Sequence, residues 1–486
     1  MNVKYIAFAV GLCSIFDVTA MQVTDDAGDM KKNDIQMVEL SSSAATGQKP
    51  TVGSSSSDEN KTYSNVNEQK AAQLRELLLN HRVARIASFD GGGIRGVIPA
   101  VLMTVMEEKL GIPIAQAFHM EIGTSTGGLL TALLTMPSES APSVPRYPAK
   151  QILEMYLTRG TDIFKEMSFI SKLLRGFRDK YSSENFDRVS NELFGDTTLD
   201  KLVGDVVLTY YNMSMKSPAF FKSSFARDAV AFQSLPAGSS SSSQPTVGSP
   251  GLPSRKSTAT LGNPPSSASP ADFSSSPSID SKKRNNFYVR DCAISTSSAP
   301  SYFAPYKLRT LKQTAEASKE FTIALDGGIC VNNPYLCGVT EAAKLYPNAD
   351  AFLVVSFGTG ECEDITVKKA PSTILGWAKD LPDMFMGGES KMAFHILKTL
   401  GTLYNKEIYF ARLQMKLPKE HIAMDNTSQS NVQYLVESAR EFANAEGSIM
   451  DILCSALRGT EKTLRSELAT MPEHQRHSNF IQLEGT

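Results

Sequence analysis

The feature that most restricts the fold of this 486-residue chain is a repeated joint: a short β-rich run, a glycine-bearing turn, then a segment of helical period. In VARIASFDGGGIRGVIPAVL, residues 83–102, the apolar run 83–89 breaks into Gly91, Gly92 and Gly93, and a helical stripe follows at Ile98, Val101, Leu102 and Val105. Pro99 stands early in that stripe and Gly111 just past its end, where helices accept these residues. EIGTSTGGLLTALLTM, residues 121–136, repeats the arrangement, with Gly128, Leu129, Ala132, Leu133 and Met136 at helical spacing up to Pro137. Further β-rich runs occupy 205–210, 321–325 and 351–357, while the segment from about 373 onward reads as mostly helical. Strands alternating with helices in this way imply an α/β layered domain with a mainly parallel sheet.

Two tracts do not join this pattern. Residues 21–80 contain SSSAATGQKPTVGSSSSDENKTYSNVNEQK, with little to bury, and about 236–283 is dominated by serine, proline and glycine. Both read as low-complexity linker, the second as an insertion in a surface loop of the folded region. The first twenty residues, MNVKYIAFAVGLCSIFDVTA, have the layout of a secretory signal peptide cleaved after about Ala20. The expected order is a leader at 1–20, a polar tail at 21–80, an α/β domain at 81–440 carrying the insertion, and a helical segment at 441–486. The chain is then expected to be exported, secreted or periplasmic.

A formal net charge of −2 and the lack of a basic stripe interleaved with aromatics give no reason to expect nucleic acid. Cys292, Cys330, Cys337, Cys362 and Cys454 remain beyond the leader, odd in number and irregularly spaced, and read mostly as small core residues. Neither they nor the scattered histidines have metal-ligand spacing, so no metal or cofactor is expected.

Chemistry concentrates at the joints. DGGGIRG contains G-x-G-x-x-G at Gly91, Gly93 and Gly96. That pattern fits a dinucleotide fingerprint, an oxyanion hole built from main-chain N–H groups, or a plain turn. A ribose-binding acid is expected about 20 residues on in the first case. Glu107 and Glu108 fall inside the helical stripe instead. GTSTG holds G-x-S-x-G at Gly123, Ser125 and Gly127 between a strand and a helix, the context of a nucleophile elbow, and there the Thr126 N–H can join the oxyanion donors. A serine needs a base. Of the later histidines at 395, 421, 474 and 477, none follows a short strand, and His395 in MAFHILKTL reads as a packed helix residue. His119 precedes the serine. FTIALDGGICVNNP offers Asp326 at the end of a strand, followed by Gly327 and Gly328, and a carboxylate there can face Ser125 across one sheet edge.

Taken in order, DGGGIRG, GTSTGG and DGG, with FGDTTLDKL at 194–202, CAISTSSAPSYFAP at 292–305 and SFGTG at 356–360, resemble the patatin-like phospholipase family from about residue 84 to 440. The resemblance implies a three-layer α/β/α fold. It also implies a histidine-free serine–aspartate dyad cleaving fatty-acyl esters of lipids, with Ser125 as nucleophile and Asp326 as proton acceptor. The N–H groups of Gly91–Gly93 become the oxyanion donors, and Arg95 takes the loop's basic position, steadying the loop or meeting lipid phosphate. Phospholipid or another acyl lipid at a membrane surface is the implied partner; whether an activating protein is needed stays open. STSSAP carries serines where the family has alanines, and Glu121 puts a charge in the strand feeding the elbow, to reach solvent or to pair with a cation. Trp377, with Leu375, Met384, Phe385 and Met386, forms either an interfacial lip or core packing. The rival readings are a Ser–Asp–His esterase of small soluble esters and a non-enzymatic nucleotide- or protein-binding module.

Overall fold

The computed structural model describes residues 69, 71–163, 183–233, 285–300, 302–311, 321–362, 388–397, 399–400, 406–445 and 448–460. The leader at 1–20, most of the polar tail, the insertion at 236–283, the Leu375–Met386 stretch, His474 and His477 lie outside the described residues.

The strands are β1 (Val83–Phe89), β2 (Met120–Gly123), β3 (Asp205–Asn212), β4 (Ser217–Lys222), β5 (Tyr306–Leu308), β6 (Thr322–Asp326), β7 (Ala351–Phe357), β8 (Glu361–Cys362), β9 (Glu407–Leu413) and β10 (Lys416–Leu417). The main sheet runs β5-β6-β3-β2-β1-β7-β9, with β4 also on β3, while β8 and β10 form a separate pair. From β3 to β9 the neighbours are parallel; β4, β5 and β6 are antiparallel additions. β1 lies at the centre and is buried along its whole length, as a strand covered on both faces must be. Its odd-numbered residues Val83, Ala87 and Phe89 join one apolar cluster and its even-numbered Ala84 and Ile86 the other. Phe89 stacks on Phe357, its register partner on β7, with ring centroids 4.8 Å apart.

Helices cover both faces, which makes three layers. One face carries α1 (Val97–Leu110), α2 (Thr126–Leu134), α3 (Ala149–Ile163), α4 (Ser183–Phe194), α5 (Ser223–Gln233), α6 (Val289–Ser297), α8 (Gln429–Asn444) and α9 (Ile449–Leu457). The other carries α7 (Tyr335–Leu345) and the helical residues around Ala393 and Leu397. α1 closes on Gly111 in the left-handed conformation at φ 74°, and the Gly111 N–H donates to the Glu107 carbonyl, so the helix ends where the sequence places its stop.

Three expectations about boundaries change. Residues 71–80 are helical rather than part of the polar tail, because Ala71, Leu74, Leu77 and Leu78 form a buried stripe that the composition of the whole tract conceals. The boundary at 440 cuts through α8, and α9 contributes Ile449, Met450, Leu453 and Leu457 to the same core. The region beyond 373 also supplies β9, a parallel strand of the main sheet. Its burial alternates irregularly, so its period of two is blurred in the sequence.

Candidate active site

The site is assembled by two strand ends that meet head-on. β2 runs parallel to β3 and stops with Gly123 opposite Leu208. β6 runs the other way and stops with Asp326 opposite Tyr210. β4 occupies the remaining edge of β3 over the same residues, so β2 and β6 share one edge and their carboxyl ends abut. Asp326 therefore does not reach the serine as a parallel neighbour, as the sequence suggests. It descends onto the elbow from above.

At the elbow Ser125 adopts φ 54° and ψ −124°, a region side chains rarely occupy. Such a conformation costs of order 1–3 kcal/mol and persists only where the surroundings impose it. Here the Ser125 N–H donates to the Thr296 hydroxyl of α6 at 2.9 Å. On the other side Gly127 passes so close to β1 that a Cβ on it would lie 2.2 Å from the Phe89 carbonyl oxygen, and only glycine fits. The Ser125 hydroxyl donates to Asp326 Oδ2 at 2.6 Å. The other carboxylate oxygen, Oδ1, accepts from the Gly328 N–H at 2.7 Å, which fixes the carboxyl plane. Burial raises the Asp326 pKa from 3.8 to about 6, against the pull of the hydrogen bonds from Ser125 and Gly328. Gly327 packs on Thr209 of β3.

The glycine loop passes directly beside the serine: a Cβ on Gly91 would lie 3.4 Å from Ser125 Cβ. The Gly91 N–H, expected to face a ligand, is committed instead to the Asn332 carbonyl at 3.1 Å, because the loop must tie to the turn that follows Asp326. Gly92 and Gly93 remain as the loop's donors. Gly93 has φ +60°, and a side chain there would collide with the Met424 carbonyl. Gly96 ends the loop's 3-10 turn and packs on Thr126, whose hydroxyl and carbonyl are both bonded to Tyr156 Oη of α3. Arg95 is buried, with Nη1 donating to the Gly360 carbonyl at 3.1 Å and Nε to the Gly92 carbonyl at 3.4 Å. That geometry braces the loop and does not present the guanidinium to a lipid phosphate.

Beneath the loop lies a pair that no local motif signals. Arg412 of β9 is salt-bridged to the buried Asp90 carboxylate, and its Nη1 donates to Ser356 Oγ at 2.6 Å. Burial raises the Asp90 carboxyl pKa, against the attraction of Arg412 and Arg95. Thr296 and Asn332 are likewise absent from the residues singled out in the sequence, although Thr296 lies inside the quoted CAISTSSAP stretch. Glu121 is fully buried and does not reach solvent. His119 lies at the opposite end of β2, where its Nδ1 accepts from the Arg85 N–H. His421 is bonded to Asn431 and stacked on Tyr434, and His395 is exposed rather than packed because its helix turns that position outward. Among the described residues no cluster of His, Cys, Asp or Glu could hold a metal ion, and no helix is long and apolar enough to cross a membrane.

Comparison with known proteins finds plant patatin-like relatives along most of the chain. "Patatin-like protein 2" of Oryza sativa subsp. indica is 25% identical over 406 residues, covering 76% of this chain and 86% of the relative. "Patatin-like protein 4" of Arabidopsis thaliana is 27% identical over 384 residues, covering 72% and 80%. "Patatin-17" of Solanum cardiophyllum is 26% identical over 391 residues, covering 75% and 83%. The family model described as patatin-like phospholipase matches residues 87–336, from the middle of β1 past the Asp326 turn to the start of α7. That match takes in just over half of the sequence, and the chain belongs to the patatin-like phospholipase family.

Proposed function

We propose that this protein is a lipid acyl hydrolase that works through a Ser125–Asp326 dyad. The observation that carries the reading is the 2.6 Å hydrogen bond between the Ser125 hydroxyl and Asp326 Oδ2 on a strained elbow. Asp326 takes the serine proton as Oγ attacks the ester carbonyl, and passes it to the departing lysolipid alcohol. Water, deprotonated by the same carboxylate, then releases the fatty acid. A carboxyl whose pKa burial raises to about 6 is ionised at neutral pH, yet is a stronger base than an ordinary aspartate. The amides of Gly92, Gly93 and Thr126 are the donors offered to the oxyanion, where each donor contributes about 3 kcal/mol in comparable sites. No histidine takes part.

Phospholipid hydrolysis by the purified full chain tests this beside four variants. Ser125→Ala and Asp326→Asn should remain folded and lose turnover by about a thousandfold or more. His395→Ala and His421→Ala should keep it. An active Asp326→Asn enzyme, or loss of activity in a histidine variant, would refute the dyad.

A further inference from the structure

The antiparallel additions to the sheet do more than deliver Asp326. Because β2 stops level with Leu208 and β6 stops level with Tyr210, everything in β3 beyond Tyr210 stands past the dyad. The β3–β4 turn, Met213–Lys216, begins three residues further along. β6 starts there with Thr322, and β5 runs up beside it, Lys307 opposite Ile323 and Leu308 opposite Thr322. At about 3.4 Å per residue this tip stands roughly 10 to 17 Å beyond Asp326 on the same side of the sheet.

Its side chains do not suit a tip surrounded only by water. Met213 is 48% exposed, Met215 67% and Phe321 47%, three of the large apolar side chains most open to solvent among the described residues. The cations around them are Lys216, Lys307 and Arg309, all exposed, and Lys307 Nζ lies 5.4 Å from the centre of the Phe321 ring. Residues 212–217, 306–311 and 321–323 contain no acid, and the joining residues 312–320 balance Glu316 and Glu320 with Lys312 and Lys319 in sequence. Arg309 acts electrostatically on Asp291, whose carboxylate accepts the Tyr306 hydroxyl at 2.8 Å. Ile329, 41% exposed, stands in the turn that follows Asp326, beside the dyad.

We infer that the β3–β4 tip, with the start of β6 and the end of β5, is a docking surface for an anionic lipid bilayer. Met213, Met215 and Phe321 enter the headgroup boundary and Lys216, Lys307 and Arg309 meet the lipid phosphates. Apolar side chains ringed by cations are the combination such a surface selects, the first through burial and the second through charge. Docking there turns the Ser125 edge toward the membrane. This inference rests on the lipid-hydrolase reading for its purpose, but its test does not depend on turnover.

Sedimentation with phosphatidylglycerol–phosphatidylcholine vesicles tests it, using the full chain carrying Ser125→Ala so that the vesicles stay intact. Neutralising Lys216, Lys307 and Arg309 to Gln should weaken binding by about fivefold for each charge, and added salt should do the same. Replacing Met213, Met215 and Phe321 by Ser should weaken it about tenfold or more at any salt. In a Trp377→Phe background, Met215→Trp should shift its fluorescence to the blue on vesicle addition. In the active enzyme the same tip variants should lose vesicle hydrolysis and retain turnover of a monomeric short-chain ester. Failure of the proposed chemistry would appear as no turnover of any ester, with the sedimentation result unaltered. Unchanged vesicle binding in both tip variants, no binding by the parent, or self-association through the tip in place of vesicle binding would overturn the docking surface.

Discussion

Asp326 is asked to be two things that oppose each other: a base that must be ionised and a side chain taken out of water. Its pKa, raised by burial from 3.8 to about 6, makes the consequence measurable. Only the ionised carboxylate can take the Ser125 proton, so kcat/KM should rise with pH through an inflection near 6 and level above it. Stability should move the other way. A carboxyl with a higher pKa folded than unfolded holds its proton more tightly in the folded state. The fold therefore loses stability as pH rises from about 4 to about 6, and the loss stays constant above that window. The shift corresponds to roughly 3 kcal/mol at neutral pH. Asp326→Asn should thus unfold at a higher denaturant concentration than the parent at pH 8 and show little difference at pH 4. A variant equally stable at both would show that the carboxyl is not held at the cost its burial implies.

At the scale of elements, the elbow is a strand–turn–helix whose strain is opposed by a neighbour from another part of the chain. Thr296 on α6 accepts the Ser125 N–H at 2.9 Å. Thr296→Val keeps the shape and removes the acceptor, leaving a buried N–H without one. That should cost about 1–3 kcal/mol in denaturant unfolding and lower kcat more than it changes KM, while Thr296→Ser restores both. Unchanged kcat in the Val variant would mean that the turn is held by its glycines alone. The contrast with the glycines also marks what the sequence makes legible. Gly91–Gly93, Gly123 and Gly127 can be read at their joints because a close approach or a positive φ writes itself into the local residue type. Ser125 and Asp326 can be read because one stands in the glycine turn just past a strand-forming run and the other ends such a run. Thr296, Asn332 and the Asp90–Arg412 pair cannot, since their partners lie far off in the sequence and nothing local distinguishes them. β6 was legible as a strand but not in its direction, because pairing direction depends on a neighbour and not on the strand's own pattern.

For the whole molecule, the head-on meeting of β2 and β6 makes the dyad depend on how the chain returns to β3 after the serine-rich insertion. The two ends of that insertion are anchored on one turn. Arg227 of α5, which leads into it, donates from Nε to the Asp200 carbonyl at 3.3 Å. Asn286, which follows it, donates from Nδ2 to Asp200 Oδ1 at 2.7 Å, and the Leu199 N–H donates to the Phe287 carbonyl at 2.9 Å. The turn at Leu199–Lys201 thus ties both ends. From there α6 carries Thr296 to the elbow, and the Asp326 N–H donates to the Ser298 carbonyl just past its end. Replacing residues 236–283 by a ten-residue Gly/Ser linker should therefore leave kcat and KM within about twofold. Closing a loop of ten rather than about 48 residues should add on the order of 1 kcal/mol to stability. If that variant folded with the same melting behaviour but lost turnover, the insertion would have to reach the site itself, and the anchoring at Asp200 would not be sufficient to place Asp326 over Ser125.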